Sequence, residues 1–334
     1  MTILVTGGTG HIGNVLIREL AAMGQPVRAL VLPGEDRSIL DDVPVEWTEG
    51  DVLDPASLAA AFAGVDTVYH LAGIISIMPG GNAMMRRVNV EGTRNVLAAA
   101  RAAGVRRLVY TSSIHAFQHA PNGVVMDESL PFDPEHAMGA YDSTKAEASL
   151  EVLQAARDGL DAVIVAPTGV IGPHDFRTSE LGALIRSWLQ PSAALLIDGR
   201  YDFVDVRDVV KGEMLAAEKG RRGEVYILSG EQRHLVQMML TVKQALGLPV
   251  KVLTIPLRWA KFFAKFAVVY YRLSREKPRF TPYSIATVQT NSVISHAKAE
   301  RELGYHPRTV EQSLVDTIAW WKQYLFQKKS RQAR

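Results

Sequence analysis

Cysteine is absent from the 334-residue chain. Disulfides, thiolate nucleophiles and thiolate-ligated metals are therefore excluded, and a reducing cytoplasm is permitted. A charge excess of one sign is lacking as well: 37 Lys and Arg stand against 35 Asp and Glu, a formal net charge of +2. No global field favours nucleic acid as a partner. Long hydrophobic runs are missing too. The longest apolar stretch, Phe262 to Tyr271, is interrupted by Lys265 and is too short to span a bilayer. The chain opens on a strand-forming run without a charged-then-apolar leader, which points to a cytoplasmic location. No repeat, low-complexity tract or flexible interdomain linker interrupts it. What remains is an ordinary globular composition, 47% hydrophobic and 22% charged, long enough to bury a sizeable core.

The first thirteen residues carry the strongest signal. Thr2 to Val5 form a short apolar strand that runs into Thr6-Gly-Gly-Thr-Gly-His-Ile-Gly13 and then into a helix with Ile12, Val15, Leu16, Ile17 and Leu20 on one face. Glycine suits Gly7 for the tight turn, Gly10 for close approach of backbone to a pyrophosphate, and Gly13 for close helix–strand packing. Unpaired N–H groups at the helix start, in the stretch Gly10-His11-Ile12-Gly13, would face the anion. Any sharp strand-to-helix turn favours glycine, but here a second strand, Val27 to Leu32, arrives where a mononucleotide-binding half requires it.

Further apolar runs at Val45–Trp47, Thr67–Leu71, Arg107–Thr111, Ala162–Ala166 and Val225–Leu228 alternate with amphipathic helices such as Asn89 to Ala103 and Tyr141 to Arg157. This alternation predicts an α/β fold with a Rossmann-type, doubly wound parallel sheet and a smaller, mostly helical substrate-binding domain. Residues 167–202 break the rhythm and Phe203-Val-Asp-Val-Arg-Asp208 re-enters it. The expected division is a dinucleotide-binding core of residues 1–166 and 203–229, a substrate-binding region of residues 167–202 and 230–322, and a polar tail at 323–334.

Several polar residues stand at strand ends, where such folds bind ligands. Asp51, with Val52, follows a strand and is free for an adenine amino group, because Asp54 before Pro55 serves better as the next helix cap. Ala72 and Gly73 offer small side chains against a ribose or pyrophosphate, while His70 reads as a packed, locally bonded histidine. Tyr141 and Lys145 lie one helical turn apart, the spacing that lets an ammonium assist a phenol whose pKa is otherwise near ~10. Tyr324 and Lys328 repeat that spacing in the polar tail, but only Tyr141 is preceded by a hydroxyl-bearing strand end, Tyr110-Thr-Ser-Ser113. A serine there also caps turns, so Ser113 has a structural alternative.

Taken together, the glycine turn, Gly50-Asp51, His70-Leu-Ala-Gly73, Asn89-Val-Glu-Gly-Thr-Arg-Asn95, Tyr110-Thr-Ser-Ser113, Tyr141-Asp-Ser-Thr-Lys145 and Pro167-Thr-Gly-Val-Ile-Gly-Pro173 resemble the extended short-chain dehydrogenase/reductase family. The resemblance runs from Met1 to about Trp321, and its nearest branch is the dihydroflavonol-reductase and 3β-hydroxysteroid-dehydrogenase-like proteins of the epimerase/dehydratase group. It implies an NAD(P)-dependent enzyme in which Tyr141 exchanges a proton with the substrate oxygen, Lys145 holds the cofactor ribose and lowers the tyrosine pKa, and Ser113 binds the same oxygen. It also implies a supporting role for Asn89, a place for Pro167 and Val170 along the nicotinamide, and a homodimer built through the helices near Asn89 and Tyr141.

Departures from the family pattern bear on specificity. Ala166 stands where an arginine usually precedes the proline. Leu32 ends strand two where a ribose-binding acid or a phosphate-binding arginine is usual, so NAD and NADP both stay open. Arg37, beside Glu35 and Asp36, is the nearest cation for a 2′-phosphate. Tyr201 replaces the arginine that grips a diphosphate in nucleotide-sugar epimerases, with Arg200 one residue away. With Ile74, His115 and Phe117 as further pocket neighbours, the expected substrate is a small-molecule alcohol or ketone of largely apolar character. A nucleotide-sugar epimerase or dehydratase is the alternative, and a dinucleotide-sensing regulator is the non-enzyme alternative. No metal is expected. Residues 255–272 read as a helix with Trp259, Phe262, Phe263 and Phe266 opposite Arg258, Lys261, Lys265 and Arg272, either roofing the pocket or resting on an anionic membrane surface.

Overall fold

Runs such as Ala162-Val-Ile-Val-Ala-Pro167 are apolar at every position, the pattern of a strand covered on both faces, and each residue of that strand is buried. The computed structural model describes residues 2–76, 83–191, 194–197, 199–250, 252–255, 259 and 282–332. Its centre is a seven-stranded parallel sheet formed by β1 (Thr2–Thr6), β2 (Val27–Val31), β3 (Glu46–Glu49), β4 (Val65–His70), β5 (Arg107–Thr111), β6 (Ala162–Pro167) and, after two smaller sheets, β10 (Val225–Leu228). The spatial order is β10-β6-β5-β4-β1-β2-β3. Strand order reverses at β1, where Val5 faces Ala29 of β2 on one side and Tyr69 of β4 on the other. The crevice at the carboxyl ends of such strands is where a doubly wound sheet binds its ligand.

Successive residues point to opposite faces. Leu4, Val68, Leu108 and Ile164 join one core beneath α2 (Pro55–Ala61), α4 (Gly92–Ala102) and α5 (Ala140–Arg157). Val5, Val109, Val163 and Val165 join a second core beneath α1 (His11–Ala22) and α7 (Val206–Lys219). The helix expected from Asn89 begins earlier, at α3 (Ala83–Arg86), and passes through a wider turn at Arg87–Glu91 before α4. That widening brings Gly92 against Val52, where an added Cβ would lie 2.7 Å from Cγ2.

One expectation is corrected outside the main sheet, and two further features are added. Phe203 does not rejoin the core sheet. Its strand β9 (Arg200–Asp205) pairs with β7 (Gly169–Ile171) and β11 (Glu231–His234) in a separate sheet, and only the following α7 returns to the main one. The chain after Gly230 is not helical at once: β11 comes first, because Gly230 lets backbone approach Phe203, whose carbonyl oxygen would be 2.2 Å from an added Cβ. A second strand there, β12 (Val252–Ile255), pairs with β8 (Ala194–Ile197), and α6 (Glu180–Trp188) and α8 (Leu235–Ala245) pack beside each other. Finally, the polar tail is a continuation of the last helix. After α9 (Pro282–Thr287) and α10 (Ala297–Leu303), α11 runs from Val310 to Gln332. The amphipathic segment 255–272 lies outside the described residues except for Ile255, which ends β12, and an exposed Trp259. Among the described residues, no helix is long and apolar enough to cross a membrane.

Candidate active site

The cofactor end of the cleft is shaped by backbone. Gly7 adopts φ +73, and a Cβ on it would meet Ala72 N at 2.7 Å; one on Gly13 would lie 2.3 Å from Gly7 O. Side chains are thus excluded where the turn closes on β4. Gly10 caps α1 without any side-chain hydrogen bond, so the first amides of a twelve-residue helix remain directed at the cleft. This cradle fits a dinucleotide pyrophosphate.

Residues Gly7, Gly10, His11, Ile12, Gly13, Asp51, Val52, Ala72, Gly73, Pro167 and Val170 all line one cleft of about 1010 Å³, together with Ser113, Tyr141 and Lys145. That volume is at the upper end of ligand pockets. Asp54 caps α2 by accepting from Ala56 N at 3.0 Å, and Asp51 accepts from Leu53 N at 2.9 Å while facing the cleft. His70 is the packed histidine expected: it sits between Thr6 Oγ1 at 2.7 Å and Thr93 Oγ1 at 3.0 Å. Burial, followed by the Lys145 charge, pulls its pKa down to about 3, so the ring is neutral.

Two expected cofactor residues do not line the cleft. Arg37 donates to Glu49 at 3.2 Å and lies over the Trp47 ring, drawn outward by strand β3. Asn89 is buried. Its side-chain oxygen accepts from Ile74 N at 2.7 Å and its amide donates to Ile74 O and Thr144 Oγ1, both at 3.0 Å, so it holds Ile74 in place from behind. Glu35 and Arg177 line the cleft instead. Glu35 has a sequence signal of sorts, an acid shortly after strand two; Arg177 has none, because it reaches Glu35 from 142 residues away.

At the carboxyl edge of β5, Ser113 Oγ accepts from His115 N at 3.2 Å, and its hydroxyl acts on the Tyr141 phenol to lower its pKa. The capping role and the site position therefore coexist in one serine. The Lys145 ammonium donates to Thr111 O at 2.7 Å and sits 4.9 Å from the Tyr110 ring centroid. Burial lowers its pKa to about 8, opposed by Glu213. Behind the strand, Glu213 accepts from Thr111 Oγ1 at 2.7 Å. Burial raises Glu213 to about 8, with Thr111 and Lys145 pulling the other way. Tyr141 corrects the expectation of a lowered phenol pKa. Burial raises it above the usual range, and the bond from Ser113 only partly offsets this.

At the other end, Ile74, His115 and Tyr201 line the cleft. His115 Nε2 is 3.0 Å from Tyr201 OH and the two rings stack at 5.8 Å. Burial lowers His115 to about 4, so it too is neutral. Phe117 is not a pocket neighbour: it packs at 4.7 Å on Phe132 in the core. Ile75, Leu181, Leu184, Leu196, Leu235, Tyr283 and Val288 complete the wall, most of them from segments with no motif. Tyr283 donates to buried Asp142, whose carboxyl is raised to about 6 by burial against that bond. Ala166, in place of the usual arginine, is fully buried in β6. Arg200 is exposed and does not line the cleft. Tyr324 stacks on Trp320 at 5.2 Å, away from the cleft. Among the described residues, no group of three His, Asp or Glu side chains could hold a metal ion.

The sheet order and the glycine turn at its reversal point define an α/β enzyme that works with a dinucleotide. A model of the NAD dependent epimerase/dehydratase family matches residues 3–229, and the chain belongs to that family. It is an enzyme of the extended short-chain dehydrogenase/reductase type with NAD(P) as cofactor. It is 37% identical to sterol demethylase protein B of Methylococcus capsulatus, over 97% of this chain and 99% of that one. It is 30% identical to a 3β-hydroxysteroid dehydrogenase/Δ5→4-isomerase of Mycobacterium tuberculosis, over 99% and 93%. The crystal structure of gox2253 superposes with a TM-score of 0.84 at 34% identity, covering 97% of this chain and 98% of that one.

Proposed function

We propose that this chain transfers hydride between the nicotinamide and a secondary alcohol or ketone on a largely apolar, sterol-like molecule. One observation carries the reading: Tyr141 and Ser113 open into the same cleft as a wall of Ile74, Leu181, Leu184, Leu196, Leu235 and Val288. Burying such side chains against substrate contributes about 25 cal/mol per Å², which rewards a fused-ring hydrocarbon and not a sugar. The names of the two relatives, a sterol demethylase protein and a hydroxysteroid dehydrogenase, agree with that chemistry.

In the reducing direction, Ser113 and Tyr141 donate hydrogen bonds to the carbonyl oxygen, and the Tyr141 proton passes to that oxygen as the alcohol forms. Lys145 then stabilises the phenolate charge. When bound there, the nicotinamide would supply the hydride that the carbonyl carbon takes up, or accept it in the reverse direction. Gly7, Gly10 and Gly13 with the amides of α1 would hold the pyrophosphate, Asp51 the adenine, and Pro167 and Val170 the nicotinamide side. Within this reading, residues 167–202 and 230–322 supply the substrate-binding half, and two copies associate through α4 and α5, which a dimeric mass by light scattering would bear out.

The test follows nicotinamide absorbance with a panel of 3-hydroxysterols, their ketones and nucleotide sugars. Net cofactor reduction with the sterols in the wild type, absent in Tyr141→Phe, is the expected result. Conversion of a nucleotide sugar without net change in absorbance would overturn it in favour of an epimerase, a reading that an outlying Arg200 disfavours.

A further inference from the structure

A carboxylate lies buried behind β5. Glu213, on α7, is fully buried and does not line the cleft. It belongs to the face of the sheet covered by α1 and α7, whereas Lys145, on α5, belongs to the other. One carboxylate oxygen accepts from Thr111 Oγ1 at 2.7 Å, while Oε2 has no hydrogen-bond partner among the described residues. A carboxylate so buried is costly unless another charge compensates it.

Thr111, the last residue of β5, links the two faces. Its side chain reaches Glu213 behind the sheet, and its carbonyl oxygen accepts from the Lys145 ammonium at 2.7 Å. One residue thus touches an acid on one side and a base on the other. The remaining titratable groups beside the pair are neutral. On the lysine side, Tyr110 OH stands 3.5 Å away, and burial holds Tyr110, His70 and Tyr141 in their uncharged forms. On the acid side, burial and the Glu213 charge push the Tyr69 phenol of β4 up. Tyr226 of β10 is turned to Glu302 at 3.1 Å, and Arg107, at the far end of β5, is held by Asp161 at 2.9 Å. From α1 and β6 come Val15, Leu16, Val163 and Val165, which are apolar.

We propose that Glu213 is a positioning residue for hydride transfer: from behind the sheet, through Thr111, it fixes the Lys145 ammonium at the end of β5 and keeps it charged while the Tyr141 proton moves. The role of Lys145 is that of the hydride-transfer reading; the coupling of the two charges stands apart from it. Burial pulls Lys145 down to about 8, so without a counter-charge the ammonium gives up its proton as pH rises. Burial pulls Glu213 up to about 8, so its negative charge appears over the same range and opposes that loss.

Isotopic labelling of the lysine side chains lets NMR follow the Lys145 ammonium in the full chain with NAD bound, its resonance assigned by Lys145→Arg. No substrate is needed. In Glu213→Gln, which keeps an acceptor for Thr111 and removes the charge, the Lys145 midpoint should fall by about one pH unit, a tenfold loss of proton affinity. Thr111→Val severs the link and should give a smaller loss of the same sign, about threefold, which Thr111→Ser should restore. Ketone turnover is the second readout. In Glu213→Gln the alkaline fall in kcat should begin about one pH unit lower than in the wild type, with KM within about twofold. An unmoved Lys145 midpoint in Glu213→Gln would overturn the inference. So would an equal loss of kcat at every pH, which is what a merely structural residue gives. If Glu213→Gln does not fold, the two Thr111 variants decide, and a Lys145 midpoint unmoved in Thr111→Val counts against the coupling. A wild type that reduces no ketone at all overturns the hydride-transfer reading, and the midpoint then decides the coupling by itself.

Discussion

The two ends of the cleft are constructed by opposite means. At the cofactor end the shape is a property of backbone: Gly7, Gly10 and Gly13 lie within one turn, and the space a side chain would occupy is already filled by Ala72 N and Gly7 O. At the opposite, apolar end the shape is a property of side chains, brought by β8, α6, α8 and α9 from segments scattered between Ile74 and Val288. A backbone site tolerates almost no added atom, because the polypeptide itself must move. A side-chain wall can be repacked one residue at a time, without disturbing the glycine turn.

That contrast is open to attack, beginning with the reacting atoms between the two ends. Tyr141→Phe should lower turnover by about 10²-fold to 10⁴-fold and leave dinucleotide affinity within about twofold by calorimetry, since the ring still packs. Tyr324→Phe should leave both intact, and an inactive Tyr324→Phe beside an active Tyr141→Phe would sink the assignment. Next in size, Gly13→Ala puts a methyl 2.3 Å from Gly7 O, so dinucleotide affinity should fall by about tenfold or more together with the melting temperature; unchanged affinity would show that the turn is softer than its packing implies. Smaller again, Leu184→Ala on the wall should raise KM for an apolar alcohol by roughly fivefold, about 1 kcal/mol of lost burial, and leave dinucleotide affinity alone. An equal loss of cofactor would mean that the two ends are not separable.

A further effect is a pH dependence beside Tyr141. Burial raises the Asp142 carboxyl from 3.8 to about 6, so the folded protein holds that proton more tightly than the unfolded chain does. The stability this contributes is complete below pH 3.8 and is lost as pH rises through about 6. Asp142→Asn does not titrate there. Its melting temperature relative to wild type should therefore climb between about pH 4 and about pH 7.5. A difference that stays flat across that range would show that Asp142 keeps an ordinary pKa.

The contrast also explains which parts of the site were legible in the order of residues. The glycine turn was, because its cause is local: strand, turn and helix follow one another within thirteen residues. Tyr141 and Lys145 were, because a helix places residues four apart on one face, and His70 read correctly as a packed residue at a strand end. Arg37 and Phe117 were misplaced because proximity in sequence stood in for direction in space. Strand β3 draws Arg37 to Glu49 and Trp47, and Phe132 draws Phe117 into the core. The strand at Phe203 was recognised but not its sheet, since a run of apolar residues records that a strand is buried and not which partner it meets.

By itself, then, the sequence determined the parallel sheet, the glycine turn and the tyrosine–lysine face, each governed by steric rules that act over a few residues. Only the tertiary structure decided that Arg177 meets Glu35, that Asn89 braces Ile74 from outside the cleft, that Tyr283 covers Asp142, and that the Tyr141 phenol is raised and not lowered in pKa. Contacts across scores of residues, and the loss of water they cause, depend on how all the layers pack at once, and no local pattern along the chain records that.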